Sequence, residues 1–202
     1  MTQTALQPSY AEIYDRVIAT NPGYHGAHGS PGYHACLMHA ERLRGFSGRS
    51  LDVGCGAGFV VALLNMPTFG FEAHGVDVSA EGVARARKIN PADRIAIMQP
   101  GKIPHDHDSF ALVTCFDVME HLDEPDILAL RDELHRVLKP GGLLFCSASC
   151  RPSASNDHNG ENLHRTIQPP HWWANLFDPD EYLARKPTAD LLMWWRKPDA
   201  TS

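Results

Sequence analysis

The stretch Ser50-Leu51-Asp52-Val53-Gly54-Cys55-Gly56-Ala57-Gly58-Phe59-Val60 does most to limit what this chain can fold into. Leu51 and Val53 read as the end of a buried strand, and Phe59 opens a helix that runs toward Met66, ahead of Pro67. Between them, glycine at alternate positions makes a tight turn, because a residue without Cβ reaches backbone angles closed to the others. A strand, a glycine turn and a helix N-terminus together bring a ligand against backbone N–H groups. Taken alone, the stretch fits a nucleotide-like ligand and a close-packed turn of an α/β protein equally well.

The chain beyond Pro67 repeats the strand–helix alternation. Phe71–Val76, Ile95–Met98, Phe110–Phe116 and Leu143–Ala148 are apolar runs, while Ser79–Asn90 and a segment from Asp123 or Asp126 to Leu138 read as helices. Pro140-Gly141-Gly142 is expected to turn the chain into the last of these strands. Strands that are apolar throughout, alternating with helices, predict a parallel sheet covered on both faces. Ahead of the first strand, Ala11–Thr20 is a short amphipathic helix. Asn21–Gly32 is a loop containing Tyr24, His25, His28 and Ser30, and Pro31 starts a helix expected to reach about Phe46. The organisation expected is residues 1–48 as N-terminal helices and a substrate-side loop, then a core over 49–202 with a polar lid around 149–170. Near the end lie a short helix, His171–Phe177, and two short strands, Tyr182–Lys186 and Leu191–Arg196, joined through Pro187-Thr188-Ala189-Asp190 as an antiparallel hairpin. Trp194 and Trp195 are expected to pack at the sheet's edge.

Composition removes several function classes. Among 202 residues the net charge is −6, and no dense Lys/Arg run appears, so a nucleic-acid partner is not expected. The apolar stretches are too short for a membrane span, and the N-terminus lacks the blocks of a secretory signal. Five cysteines without framework spacing point to reduced thiols and a cytoplasmic location, and no CxxC pair supports zinc.

Asp52, Asp77, Gln99 and Asp117 all fall at or beyond the carboxyl ends of successive strands, where open α/β sheets bind ligands. A carboxylate at Asp77 suits a ribose diol, as two acceptor oxygens facing two hydroxyls. Asp52 stands just before the glycine turn, where it would repel a pyrophosphate and attract an ammonium or sulfonium. An adenosine compound joined to methionine therefore explains the pair better than a nicotinamide dinucleotide does.

With these residues in place, the sequence resembles the class I S-adenosylmethionine-dependent methyltransferases, and within them the small-molecule branch that includes the ubiquinone and menaquinone biosynthesis enzymes. The resemblance rests on LDVGCGAG at 51–58, GVD at 75–77, IPHDHDSFALVTCFDVMEHL at 103–122 and LHRVLKPGGLL at 134–144. It implies a Rossmann-like three-layer sandwich whose mostly parallel seven-stranded sheet ends in an antiparallel strand. It also implies S-adenosylmethionine as cofactor, leaving as S-adenosylhomocysteine, and a small-molecule acceptor. Asp52, Gly54, Cys55, Gly56 and Gly58 then correspond to the methionine side of the cofactor pocket, Asp77 to the ribose ligand and Val78 to a neighbour of the adenine. Gln99 occupies the place of an acidic residue that contacts the adenine amino group, and Phe116 with Asp117 closes over the methionyl part. His121 is the first candidate base, with His158 and His164 as rivals. O-methylation is favoured, against N-methylation of a saccharide, natural-product or peptide substrate, or cofactor binding without catalysis. No metal is expected, since Asp157, His158, Glu161, His164 and His171 match no ligand motif and read as an exposed polar lid. A homodimer is left open.

Overall fold

The computed structural model describes residues 9–185 and 190–199. Its centre is a seven-stranded sheet in the order β3-β2-β1-β4-β5-β7-β6. The strands are β1 (Gly48–Val53), β2 (Phe71–Asp77), β3 (Ile95–Ile97), β4 (Phe110–Cys115), β5 (Leu138–Ala148), β6 (Glu181–Arg185) and β7 (Asp190–Arg196). The first five pair in parallel, with Asp52 opposite Gly75 on one side and Thr114 on the other. Strand β7 runs antiparallel between β5 and β6, which gives the reversed strand the resemblance implies.

The apolar strands have a core on each face, as a two-sided parallel sheet requires. On one face α6 (Glu124–Val137) and α7 (Pro170–Phe177) bury Ile127, Leu130, Leu134, Trp173 and Phe177 against Val53, Val113, Leu144 and Cys146. On the other, α2 (Pro31–Met38), α3 (Ala40–Leu43), α4 (Phe59–Leu64) and α5 (Ala80–Ala86) set Cys36, Leu43, Leu63, Leu64, Val83 and Ala86 against Leu112, Phe145 and Trp194. The three-layer sandwich is therefore present as expected.

Several boundaries differ from the sequence reading. The helix expected over Pro31–Phe46 breaks at His39, whose φ of −110° separates α2 from α3. The His39 ring packs edge-on against Phe145 and Trp194, at centroid separations of 5.6 and 5.0 Å. Helix α5 is shorter than expected and is capped by Ser79, whose Oγ accepts from the Gly82 N–H at 3.0 Å. Pro140-Gly141-Gly142 does not precede a strand but lies within β5, where the register against β4 shifts. Gly141 takes φ +72° there, and its N–H bonds to the Lys197 carbonyl at 2.9 Å, so the irregularity is held from the neighbouring strand. Trp194 is not at an edge: β6 occupies the edge, and Trp194 is buried and stacked on Phe145 at 5.1 Å. The hairpin pairs as expected, while most of its connection, residues 186–189, lies outside the described residues.

The N-terminal helix α1 (Tyr10–Thr20) crosses the carboxyl edge of the sheet. Ser9 and Glu12 form a capping box that starts it. At one end the Tyr10 hydroxyl donates to Asp126 Oδ2 at 2.7 Å, at the start of α6. One turn further on, Asp15 Oδ1 accepts from Ser79 Oγ at 2.6 Å and from the Glu81 N–H at 3.0 Å, at the start of α5. The helix is thus tied to two helix N-termini on opposite sides of the crevice.

Phe145 is fully buried between Phe116, edge-on at 4.9 Å, and Trp194. Phe145→Ala is expected to cost about 3–5 kcal/mol of stability, read as a lower urea midpoint at unchanged slope.

Candidate active site

The floor of the crevice is the glycine turn. The N–H groups of Gly54 and Cys55 both donate to the Val76 carbonyl, at 2.8 and 3.0 Å, which fastens the turn to the end of β2. Gly54 has φ +75°, and a Cβ there would come within 2.2 Å of Val118 Cγ2, so only glycine fits. Asp77 Oδ2 accepts from the Gly56 N–H at 2.7 Å, and Oδ1 accepts from the Ser79 N–H at 2.8 Å. One carboxylate therefore joins the first and second strand ends while each of its oxygens keeps further acceptor capacity.

Two lobes open from this floor and share Gly54 and Gly56. The first is lined by Val53, Val78, Met98, Leu122 and Leu130, with Asp77 and Asp117 as its carboxylates and Tyr14 and Tyr24 beside them. The second is lined by Asp52, Cys55, Ala57, Phe116 and Asp117. Asp52 is buried, and its Oδ1 accepts from Thr114 Oγ1 at 2.6 Å. Burial pushes its carboxyl up to about 7, the nearby Asp77 charge adds to this, and the Thr114 hydrogen bond opposes it. Burial also raises the Asp77 carboxyl, against the backbone N–H groups of Ser79, Gly56 and Val78 that lower it.

This donor set fits S-adenosylmethionine. An apolar lobe suits the adenine, Asp77 a ribose diol, and the buried Asp52 an ammonium that would compensate its charge. Nothing lies within 4 Å of the position a Cβ would take on Gly56, so backbone faces open space there. The Tyr14 hydroxyl is buried at the first lobe without a hydrogen-bond partner.

The wall beyond the glycine turn follows β4. Asp117 takes φ +51°, and Ser147 Oγ holds it by donating to Oδ1 at 2.7 Å and accepting its N–H at 3.0 Å. After it comes the turn Met119–His121, in which Glu120 and His121 are buried. The late polar loop is pinned to this turn. Arg165 and Thr166 donate their N–H groups to the Glu120 carbonyl at 2.8 and 3.0 Å, and Thr166 Oγ1 donates to the Leu122 carbonyl at 2.7 Å. His121 Nδ1 lies 2.9 Å from the Leu163 carbonyl and must donate to it, which leaves Nε2 with a lone pair. Burial pushes the His121 pKa down to about 4, so its ring is neutral at pH 7. The His164 ring packs against it at 4.7 Å.

The cleft brings together Asp52, Gly54, Cys55, Gly56, Asp77, Val78, Phe116, Asp117, His121 and His164 among the residues singled out in the sequence. Gly58 is buried and turns the chain into α4 at φ +81°. Gln99 is exposed and lines neither lobe; Met98, Pro100 and Gly101 take that side of the first lobe. His158 is exposed and absent from the lining of both lobes. Sequence reasoning missed Tyr10, Tyr14 and Ile18, because an amphipathic helix does not announce which sheet edge it will cover. The Ser9–Glu12 capping spacing was the available signal for where that helix begins. It also passed over Glu120 as a group in its own right, although the acid stands beside His121.

A family model described as a methyltransferase domain matches residues 51–146. A ubiquinone biosynthesis O-methyltransferase from Xanthomonas campestris pv. campestris (strain B100) is 31% identical over 159 residues, covering 71% of this chain and 62% of the relative. The chain thus spans less than two thirds of that relative's length. Among solved structures, an S-adenosylmethionine-dependent methyltransferase from Mesorhizobium loti superposes with a TM-score of 0.62 at 19% identity, covering 85% of this chain and all of that one. The [4+2]-cyclase SpnF does so with a TM-score of 0.68 at 16% identity, over 94% and 96% of the two chains. Residues 51–146 are thus similar to a methyltransferase domain, and the sheet order with its glycine turn is the fold of the class I S-adenosylmethionine-dependent methyltransferases.

A carboxyl raised from 3.8 to about 7 favours the folded state most below 3.8, and that contribution is lost as pH rises through 7. Asp52→Asn, which keeps an acceptor for Thr114, is expected to remove this loss. Between pH 5 and 8 the melting temperature of the ligand-free variant should rise relative to that of the parent, as measured by scanning calorimetry at matched ionic strength.

Proposed function

We propose that the protein transfers a methyl group from S-adenosylmethionine to a hydroxyl of a small organic acceptor. The observation that carries this reading is one cleft in which Asp52, Gly56 and Asp77 meet His121 and His164 across the shared glycine floor. When bound, S-adenosylmethionine supplies an electrophilic methyl on a positively charged sulfur. The residues of the chain do the rest. Asp77 holds the diol, Asp52 takes the ammonium, and the Gly54–Gly56 turn sets the distance between them. Holding donor and acceptor in line contributes on the order of 7–11 kcal/mol in favourable cases. A neutral His121 with a bare Nε2 faces the acceptor side, where a hydroxyl has to lose its proton as it attacks.

The acceptor enters through an outer basin lined by Tyr10, Ile13, Tyr14, Pro100, His121 and Arg165. Aromatic and aliphatic walls suit a ring, and with Arg165 paired to Asp123 and with Asp157 and Glu161 also lining the basin, they suit polar rather than acidic substituents on it. The name of the Xanthomonas relative, a ubiquinone biosynthesis O-methyltransferase, supports oxygen as the reacting atom. The absence of a dense basic run supports a small molecule over a nucleic acid. All five cysteines are free and four are buried, which supports the reducing environment of the cytoplasm. Among the described residues, no helix is long and apolar enough to cross a membrane.

Incubation with methyl-labelled S-adenosylmethionine and fractionated small-molecule extracts should give a labelled product with one added methyl on oxygen. Binding of the cofactor with no labelled product in any fraction would instead favour a cofactor-binding protein without catalysis. Asp77→Ala is expected to weaken S-adenosylhomocysteine binding at least tenfold in calorimetry, and an unchanged affinity would remove Asp77 from the diol. His121→Gln is expected to lower turnover at least tenfold while cofactor affinity stays within about twofold.

A further inference from the structure

Past Phe116 the second lobe continues into a further pocket, which shares Asp117, Ser153 and His164 with it but contains neither Asp52 nor the glycine turn. It is therefore distinct from the place that Asp52 offers to the cofactor's ammonium. Three carboxyl groups line it: Asp117 after β4, Glu120 in the turn that follows, and Asp190 at the start of β7. Asp190 stands close enough for its charge to raise the carboxyls of both the others. Among the described residues, Arg151 is the one lysine or arginine in the lining. Its Nε lies 3.4 Å from Asp190 Oδ1 and its side chain is 53% exposed, which puts it at the mouth.

The hydrogen bonds show what the pocket lacks. Ser147 Oγ donates to Asp117 Oδ1 at 2.7 Å and Ser149 Oγ to Asp190 Oδ1 at 3.1 Å, so both hydroxyl protons are spent. His164 Nδ1 lies 2.6 Å from the Arg151 carbonyl and donates to it, which leaves Nε2 to accept. Glu120 is 0% exposed; its Oε1 accepts the Ser149 N–H at 2.9 Å, while its Oε2 has no hydrogen-bond partner. Burial, with the Asp117 charge adding to it, pushes the Glu120 carboxyl well up and favours the neutral acid. A buried oxygen left unsatisfied is costly even so, and the acid has a proton to give to an entering base.

An interior rich in acceptors, poor in donors and net negative suits one kind of group. A protonated amine brings three N–H donors, no acceptor and a positive charge. A carboxylate is repelled there, and a plain hydroxyl leaves the charge uncompensated. We propose that this pocket holds an ammonium group of the methyl acceptor, which makes the acceptor a hydroxylated amine. The substrate class rests on the methyl-transfer reading. His164 lines the outer basin, the second lobe and this pocket alike, and so marks the path between them. An amine arriving as the free base takes the Glu120 proton, and one arriving as ammonium displaces that proton to water. In both cases the nitrogen ends with four bonds and no lone pair, so it does not attack the methyl. The hydroxyl attacks instead: its proton passes to His121, its oxygen bonds the methyl carbon, and the electron pair of the broken carbon–sulfur bond stays on sulfur.

Tyramine, 4-ethylphenol and 4-hydroxyphenylacetate share a phenol and differ in the charge at the other end. Calorimetry on the full chain with S-adenosylhomocysteine bound should show tyramine binding about tenfold tighter than either of the others, or more. Asp190→Asn should remove that preference while S-adenosylhomocysteine affinity stays within about twofold. If Asp190→Asn fails to fold, Arg151→Gln, at an exposed side chain, decides. Removing the competing cation should tighten tyramine about two- to fivefold and leave 4-ethylphenol unchanged. Equal binding of the three phenols, or a tyramine preference that neither variant moves, overturns the pocket. A tyramine preference set by Asp190 in a protein that methylates no acceptor keeps the pocket and defeats the methyl-transfer reading. Methylation of 4-ethylphenol as fast as tyramine does the reverse.

Discussion

A single buried carboxylate holds the crevice in shape. Asp77 bonds the Gly56 N–H with one oxygen and the Ser79 N–H with the other, so the glycine turn after β1 and the start of α5 are fixed by one group. Each bond offsets part of the desolvation of a charge placed at the end of a buried strand. The same group thereby does structural work on the turn and presents acceptor capacity to a ligand. Replacing it loosens the floor as well as removing a contact, which is why stability and binding have to be measured separately at this position.

Charge is unevenly compensated around the cleft. Asp52, Asp77, Asp117 and Glu120 all lie at strand ends or in the turn after β4, and burial raises the carboxyl of each. Their bonds are mainly to backbone N–H groups and hydroxyls, which steady a carboxylate without cancelling its charge. An interior built this way is suited to cationic occupants. A sulfonium with an ammonium is one.

Much of this was legible in the residues. Apolar runs of strand length, spaced by helices, were enough to foresee the parallel sheet, and the acids after them marked its carboxyl edge. What stayed hidden depended on contacts between distant segments. Nothing local in Pro31–Phe46 shows that His39 will break the helix by packing its ring on Phe145 and Trp194. Gln99 was read by its position after β3, but that strand is only three residues long and the chain turns back at Pro100, leaving the side chain exposed. His158 and His164 were indistinguishable in a polar loop. They separate because Leu163 meets His121 and draws only His164 inward. The sequence also read His121 and His164 as rival bases, whereas the fold sets them side by side.

The tie from Tyr10 to Asp126 joins residues 116 positions apart. A roof helix tied from Tyr10 to the start of α6 means that the cavity is complete only after contacts of large sequence separation have formed. Occupancy is therefore a report on completed folding. By mass action, any ligand that needs both roof and floor stabilises the native state against partly assembled forms, by an amount that grows with its concentration.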